Sequence, residues 1–276
     1  MLQYCAIASG SNGNCYYVGN QDTAVLIDVG INNKHVHLRM DRLGIDPYQI
    51  SAIFITHEHI DHIAGLAVFS KRYHIPIYMT QGTFDACRFA INPLLLNIIP
   101  ANVAIQIGSL KIFGIPKFHD AKEPCSFMVS DDHFNISVLT DLGRICNNVK
   151  RAIEMADVLI LESNYDEDML QYGRYPYHLK NRIKGGLGHI SNNISLEAFL
   201  SYKTERLKHL ILGHLSGENN KIELVENTFA PYCESLKLTI ANRYEPTALF
   251  QVHRQTLEVS RTIETLEING EIAYSN

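Results

Sequence analysis

The segment His57-Glu58-His59-Ile60-Asp61-His62 places three histidines and an aspartate within six residues. It directly follows the apolar run Ala52-Ile53-Phe54-Ile55-Thr56 and precedes an apolar stretch from Ile63 to Tyr73. Side chains 57 and 59 project to the same side of an extended segment, whereas Asp61 and His62 enter the following turn, where they can face a second ion. Imidazole and carboxylate groups clustered beside an apolar run are unfavourable unless a cation compensates them. The segment therefore predicts a pair of bound metal ions.

Length and composition are those of a globular protein with a large core, because 46% of the 276 residues are hydrophobic. No repeat or linker divides the sequence, which predicts a single domain over residues 1–276. The start, Met1 to Cys5, lacks a signal-peptide pattern, and no apolar run reaches the roughly 18–20 residues of a membrane span. We therefore expect a cytoplasmic protein without membrane association. The net charge of −5 excludes a broadly basic surface for nucleic acid, so an anionic substrate must be held by local charge or by metal.

Short apolar runs rich in β-forming residues alternate along the chain with helical patterns. The predicted strands are Thr23-Ala24-Val25-Leu26-Ile27, Ala52-Ile53-Phe54-Ile55-Thr56, Leu110-Lys111-Ile112-Phe113, Asn135-Ile136-Ser137-Val138-Leu139, Val158-Leu159-Ile160-Leu161 and Leu210-Ile211-Leu212. The predicted helices cover about 31–43, 63–73, 145–156, 194–206 and 219–236. This alternation indicates an α/β fold.

Histidines and carboxylates follow these apolar runs at the points where the strands should end. They are Asp28, His57, His119, Asp141, Glu162 and His214. Loops at strand ends are positioned by a rigid sheet, and functional groups collect there in layered α/β folds. The six positions therefore predict one shared site.

The pattern His-x-His-x-Asp-His at residues 57–62 resembles the signature of the metallo-β-lactamase superfamily. The resemblance implies a four-layer αββα sandwich, in which two mixed sheets pack face to face, helices flank them, and the metal site lies at their shared edge. It also implies three further ligands downstream: a third histidine, a bridging aspartate and a last histidine. His119, Asp141 and His214 fit these three in order and context.

The ligands implied by this resemblance divide between two ions. The first ion takes His57, His59 and His119, the second takes Asp61, His62 and His214, and Asp141 bridges them. Ligation by nitrogen and oxygen without thiolate suits zinc or manganese, with iron also possible, and the sequence does not choose among them. Asp28 resembles a carboxylate that orients a ligand histidine, although a plain strand-ending aspartate fits its position equally well.

Four further segments resemble the WalJ (YycJ) family of bacterial DNA exonucleases. They are residues 8–17, 161–170, 188–193 and 214–220. The resemblance runs from residue 6 to about residue 225, and it implies hydrolysis of DNA from the 5′ end. The superfamily fold also hosts hydrolysis of β-lactams, thioesters and lactones, so fold alone does not give the substrate.

A phosphodiesterase needs a nucleophile, neutralisation of the phosphate oxygens and an acid for the leaving group. Two ions with a bridging hydroxide supply the first two. The segments Glu162-Ser163 and His189-Ile190-Ser191 resemble the pair that meets beside the metals in tRNase Z. The Glu162 carboxylate would hold His189 in one tautomer, ready to give its proton to the leaving oxygen. The alternative is that Glu162 and His189 form a buried pair with a structural role only. Asp61 is the third residue of the predicted catalytic set.

Two regions are candidates for contact with the substrate. One comprises small polar residues in the first loop and after His189, namely Ser9, Ser11, Asn12, Ser191 and Asn192. The other is a basic stretch with interleaved tyrosines: Tyr172, Arg174, Tyr175, Tyr177, Lys180, Arg182 and Lys184. This stretch can line a groove for the phosphate backbone, or it can be a solvated face.

The sequence thus predicts a metal-dependent phosphodiester hydrolase, more specifically a DNA exonuclease, with nucleic acid as its partner and no obligate protein partner. One alternative is a small-molecule hydrolase, for example of a cyclic phosphodiester as in the PhnP-like branch, and an open groove would count against it. Another is a binding module that retains the fold without turnover, and the complete ligand set argues against it.

Overall fold

The computed structural model describes residues 1–253 and contains two seven-stranded sheets. The first sheet contains β1 (Leu2–Ala8), β2 (Cys15–Gly19), β3 (Ala24–Ile27), β4 (Ile50–Phe54), β5 (Ile77–Met79), β6 (Leu96–Ile98) and β14 (Phe250–Val252). The second contains β7 (Ala104–Ile107), β8 (Leu110–Pro116), β9 (Cys125–Ser130), β10 (Asn135–Leu139), β11 (Val158–Glu162), β12 (His209–Gly213) and β13 (Lys237–Ile240). Their strand orders are β14-β1-β2-β3-β4-β5-β6 and β13-β12-β11-β10-β9-β8-β7.

Both sheets are mixed. In the first, β14, β1, β2 and β3 pair antiparallel and β3 to β6 pair parallel. In the second, β7 to β10 pair antiparallel and β10 to β13 pair parallel. Central strands such as β11 are buried along their whole length, because they are covered on both faces and consist of continuous apolar runs.

Helices cover the outer face of each sheet. They are α1 (Asn33–Leu43), α2 (Ile60–Ile63), α3 (Leu66–Tyr73), α4 (Gln81–Ala86), α5 (Asn147–Glu154), α6 (Glu167–Tyr172), α7 (Tyr177–Lys184), α8 (Asn192–Tyr202) and α9 (Ile222–Phe229), with 3₁₀ turns at Pro47–Gln49 and Ala230–Tyr232. One apolar core lies between the sheets, a second lies under α1 and α3, and a third lies under α5, α8 and α9. Three cores between four layers confirm the predicted αββα sandwich.

The predicted segments match the observed ones closely, with two corrections. The helix predicted over 63–73 is divided, because the chain turns at Gly65 between α2 and α3. The helix predicted over 219–236 ends at Phe229 and continues only as a 3₁₀ turn that contains Pro231. The single-domain prediction extends to residue 276, and its last part, 254–276, lies outside the described residues. Within residues 1–253, no helix is long and apolar enough to cross a membrane.

Candidate active site

The ends of the parallel strands bring the predicted site residues to one edge of the sandwich. Asp28 follows β3, His57 follows β4, Asp141 follows β10 and His214 follows β12, while Glu162 is the last residue of β11. Three of them have left-handed backbone conformations, with φ of 62° at Asp28, 54° at Asp141 and 57° at His214. Such conformations are costly for residues with a Cβ and concentrate at functional sites.

The seven predicted metal ligands fall into four overlapping groups, the last of which also contains Glu162 and His189. The potential ligand atoms within each group lie within 4.8 Å of one another: His57, His59 and His119; Asp61, His62 and His214; His57, His62 and Asp141; Asp141, His214, Glu162 and His189. Asp141 therefore belongs to two groups, one with His57 and His62 and one with His214. The donor set is nitrogen and oxygen only, which suits divalent zinc, manganese or iron.

Unpaired buried atoms test whether these residues fit a cation. Among the described residues, His57 Nε2, Asp141 Oδ2 and His214 Nε2 are buried without a hydrogen-bond partner. Buried polar atoms are almost always paired, and these three belong to groups that share Asp141. Cations bound within these groups would satisfy all three atoms. The residues therefore fit metal binding, and the number and identity of the ions stay predictions.

Asp28 holds two of the predicted ligands through its carboxylate. The backbone N–H and Oγ1 of Thr56 donate to its two oxygens, each at 2.8 Å. His62 Nδ1 donates to Asp28 Oδ2 at 2.7 Å, and His57 Nδ1 donates to Thr56 Oγ1 at 2.9 Å. Because both Nδ1 atoms carry the donated proton, the Nε2 atoms of both rings are left as lone-pair donors for a metal. This is the geometry of the orienting role predicted for Asp28.

Burial and charge act differently on two neighbouring histidines. Burial holds the pKa of His57 well below its usual value, and the adjacent His62 lowers it further. Burial also disfavours the charged form of His62, but the carboxylates of Asp141, Asp28 and Asp61 outweigh it and hold the pKa of His62 well above its usual value. The carboxylates thus give the cluster a negative potential that favours bound cations.

Glu162 lies between His189 and His214. Its Oε1 accepts from His189 Nδ1 at 2.8 Å and from His214 Nδ1 at 3.0 Å, and its Oε2 accepts from the N–H of Leu142 at 2.7 Å. Burial would raise the pKa of Glu162, but interaction with His189 and His214 outweighs it and lowers this pKa to about 2. The His189 side chain is 21% exposed, whereas Glu162 is fully buried. His189 is therefore held through Nδ1 and remains accessible to a substrate.

Asn14 is a site residue that the sequence did not reveal. It is fully buried, and its Nδ2 lies 3.4 Å from the carbonyl oxygen of Asp61 and 3.1 Å from Nε2 of His62. Its Oδ1 accepts from the N–H of Gly10 and the hydroxyl of Tyr16. Asn14 therefore positions the ligands predicted for the second ion. An asparagine in a glycine-rich loop has the appearance of an ordinary turn residue, so only its position within the resembling segment 8–17 could have singled it out.

Three of the five small polar residues predicted to contact substrate are buried: Ser9, Ser191 and Asn192. Ser9 Oγ accepts from the N–H of His214 at 2.9 Å. Ser191 caps the start of α8, and Asn192 accepts from the Ser163 hydroxyl at 2.6 Å. These three side chains are buried and form hydrogen bonds within the protein, so they are not available for the predicted contact with substrate. The exposed candidates are Ser11 and Asn12.

The predicted basic stretch reaches the site through α7. Arg182 Nε donates to Asp120 Oδ2 at 2.5 Å, and Asp120 Oδ1 lies 3.3 Å from His119 Nε2. Tyr172 and Tyr177 are 84% and 79% exposed on the same segment. Two exposed aromatic rings, and an arginine paired with Asp120, thus lie on the segment that adjoins a predicted ligand.

Comparison with known sequences gives a consistent picture. The profile of the metallo-β-lactamase superfamily matches residues 8–88. The exodeoxyribonuclease YycJ of Bacillus anthracis is 32% identical over 252 residues, which cover 88% of this chain and 94% of the relative. The exodeoxyribonuclease WalJ of Streptococcus pneumoniae serotype 2 (strain D39) is 34% identical over 235 residues, covering 82% of this chain and 86% of the relative.

Among solved structures, the metallo-β-lactamase fold protein YhfI from Bacillus subtilis superposes with a TM-score of 0.67. The alignment covers 90% of this chain and 99% of YhfI at 15% sequence identity. At that identity the likeness concerns the fold alone. It supports the arrangement of two mixed sheets flanked by helices.

Proposed function

The chain belongs to the metallo-β-lactamase superfamily and, within it, to the family of the exodeoxyribonucleases YycJ and WalJ, and on this premise we propose that it is a DNA exonuclease using two divalent metal ions. Membership makes it a metallo-hydrolase acting on ester bonds. The choice of DNA as the substrate rests on the relatives' activity together with the chemistry of the site.

The observation that carries the proposal is the Glu162–His189 pair beside the predicted ligands. The 2.8 Å contact fixes the His189 ring through Nδ1, and the ring is partly exposed. Hydrolysis of a phosphodiester ends with an alkoxide leaving group, which needs a proton from a positioned acid. A buried carboxylate behind an accessible imidazole supplies such an acid, and this arrangement favours phosphodiesters over substrates whose leaving groups need no separate acid.

The residues of the chain have distinct parts in the proposed reaction. Bound divalent ions would supply charge neutralisation on the phosphate and activate water as the nucleophile. His189 donates its Nε2 proton to the leaving oxygen, and Glu162 keeps the ring oriented through Nδ1. Asp61 is 20% exposed, whereas Asp141 is 2% exposed, so Asp61 faces the side from which water enters and can accept a hydrogen bond from it.

The surroundings of the site favour a polymer over a small phosphodiester. The segment that contains α6 and α7 presents Tyr172 and Tyr177 to solvent and adjoins the site through Arg182. Exposed aromatic rings stack on bases, and cations track the phosphate backbone, in proteins that bind nucleic-acid strands. A small cyclic phosphodiester would make no use of this segment.

The test is hydrolysis by the purified protein supplied with Mn²⁺ or Zn²⁺. We expect stepwise shortening of end-labelled duplex DNA, together with hydrolysis of bis-p-nitrophenyl phosphate. Asp141→Asn should abolish both activities, because it weakens a carboxylate shared by two predicted ligand groups. Asp22→Asn, an exposed aspartate in the loop before β3, is the matched control and should retain both.

Two outcomes would contradict the proposal. Hydrolysis of the small diester without any shortening of DNA would make the protein a small-molecule phosphodiesterase. Cleavage of neither substrate at full metal occupancy would exclude phosphodiester chemistry altogether. A parallel assay with RNA of the same sequence distinguishes DNA from RNA as the preferred polymer.

A further inference from the structure

A cavity of about 260 Å³ lies beside the candidate active site and is lined by none of the residues predicted to bind metal. Its walls are the loop after β12, the start of α9 and the segment after β13. Polar lining residues include Ser216, Asn220, Lys221, Asn242 and Arg243. The first lining residue, Leu215, directly follows the predicted ligand His214. The cavity therefore begins at the residue that follows a predicted metal ligand.

Arg243 is fixed in the wall of this cavity. Its Nη2 donates to Ser11 Oγ at 3.0 Å, and its guanidinium lies against Gly217, where a Cβ would be 1.9 Å from Nη1. The backbone of this segment is held by Arg39, which donates to the carbonyl oxygens of Arg243 at 3.4 Å and Tyr244 at 2.6 Å. The guanidinium is therefore positioned before any ligand arrives, which reduces the entropy that binding costs.

The charge of Arg243 is not used by a carboxylate of the described protein. Within residues 1–253, arginines pair with carboxylates at three places: Arg42 with Glu245, Arg182 with Asp120 and Arg206 with Asp157. Arg243 and Lys221 take part in no ion pair of that part of the chain. Glu223 also lines the cavity, so two cations face one carboxylate. A local excess of positive charge in a chain of net charge −5 indicates an anionic ligand.

We propose that this cavity binds the terminal phosphate of the nucleic-acid strand whose neighbouring phosphodiester is cleaved, an inference that rests on the proposed nuclease function. A phosphomonoester carries a charge of roughly −1.5 to −2, more than an internal diester, and three acceptor oxygens. The guanidinium fork of Arg243 matches such oxygens. The cavity is also smaller than the roughly 300 Å³ at which pockets for drug-sized ligands begin, so it suits a small anionic group. Binding of the terminal phosphate in this cavity would fix the position of the strand end relative to the predicted metal ions.

The binding test uses labelled duplexes in EDTA, where no cleavage occurs. The duplexes are identical except that they carry a 5′-phosphate, a 3′-phosphate or hydroxyls at both ends. By fluorescence anisotropy at low salt, we expect one phosphorylated end to bind about tenfold more tightly than the hydroxyl end. Arg243→Gln should remove this preference, and Arg243→Lys should keep part of it. Arg88→Gln, which removes the same charge from an exposed position, is the control.

The outcomes separate this inference from the proposed function. Equal binding of all three duplexes by the wild-type protein would overturn the inference, and so would an equal loss for all three in Arg243→Gln, which would indicate an internal backbone contact. A matching thermal midpoint shows that Arg243→Gln remains folded. Hydrolysis of bis-p-nitrophenyl phosphate by the wild-type protein tests the catalytic proposal separately. End preference without that hydrolysis would sink the catalytic proposal alone.

Discussion

One carboxylate oxygen of Glu162 lies between two histidines with different predicted roles. Oε1 accepts from His189, the proposed acid, and from His214, a predicted metal ligand. Burial would lower the pKa of His214, but Asp141, Asp61 and Glu162 outweigh it and raise this pKa to about 10. A change at Glu162 therefore affects the acid and the metal site together. The two roles can be separated only by changing His189.

His189→Ala should lose turnover and keep its metal. His189 is outside the predicted ligand set, and Glu162 retains His214 and the Leu142 N–H as partners. Loss of a general acid typically costs about 10²–10⁴-fold in rate, so we expect kcat on DNA to fall by that order. Metal content by mass spectrometry should be unchanged. His35→Ala, an exposed histidine on α1, is the control, and an unchanged rate in His189→Ala would remove His189 from the mechanism.

At the residue scale, the sequence predicted the side chains that meet at the site better than those that hold them. Clustered histidines and strand-end carboxylates are visible because such groups rarely stand together without a cation. Asn14 was missed, because a buried amide becomes recognisable only when its partners in distant segments are known. The same holds for Ser9, which was predicted to contact substrate and instead accepts from the N–H of His214.

At the scale of elements, three loops are joined at the edge of the first sheet. Gly30 N donates to the Asn14 carbonyl at 2.7 Å, Asn14 N donates to the Asp61 carbonyl at 2.8 Å, and Val29 N donates to the His62 carbonyl at 2.9 Å. The backbones of the three loops are therefore in direct contact. A Cβ at Gly30 would lie 1.7 Å from the Asp61 carbonyl oxygen, so only glycine fits there.

Gly30→Ala should release the metal-binding loop. The added methyl group must push the Asp61 backbone away, and overpacking of this kind costs about 1–3 kcal/mol of stability. We expect a lower thermal midpoint and a lower metal content. Gly44→Ala is an informative comparison, because nothing lies within 4 Å of its Cβ but its φ is 67°. It should lose stability through backbone strain and keep its metal, and equal metal content in both variants would contradict the prediction.

The long central elements were predictable from sequence, and the short ones were not. The strand predicted over residues 135–139 is observed with the same bounds, because its Ile136, Val138 and Leu139 are β-branched or aliphatic and fully buried. Edge strands such as β7 are three to four residues long and partly exposed, so their sequences show too short a pattern of apolar residues to predict a strand. The break at Gly65 depends on a tertiary contact, since a Cβ there would lie 2.2 Å from the Ile31 carbonyl oxygen.

At the scale of the whole molecule, His209 joins the two sheets. It lies on β12 in the second sheet, and its Nδ1 is 2.9 Å from the Tyr4 hydroxyl on β1 in the first. Its Nε2 is 2.8 Å from Thr239 Oγ1. A neutral imidazole offers one donor and one acceptor, which these two hydroxyls can satisfy. Burial lowers the pKa of His209 to about 3.

This histidine should make the stability of the sandwich depend on pH. In the unfolded chain His209 takes up a proton below its ordinary pKa of 6.5, whereas in the folded chain it does so only near its lowered pKa of about 3. Its contribution to stability is therefore complete above pH 6.5 and falls with decreasing pH. The expected loss by about pH 5 is about 2 kcal/mol. Urea unfolding in EDTA at about pH 7 and about pH 5 measures it.

The comparison of variants assigns this loss to His209. His209→Gln should reduce the pH-dependent loss by about 2 kcal/mol relative to the wild-type protein. His35→Gln, at an exposed position on α1, should leave it unchanged. The same loss in all three proteins would show that His209 does not contribute to it.

The left-handed backbone at Asp28, Asp141 and His214 limits how this protein can be engineered. Glycine at any of these three positions would relieve on the order of 1 kcal/mol of backbone strain, although at Asp28 it would also remove the hydrogen bonds to Thr56 and His62. Each such gain would discard a side chain of the candidate active site. Robustness and turnover thus compete at the same positions, and selection for one must be monitored by an assay of the other.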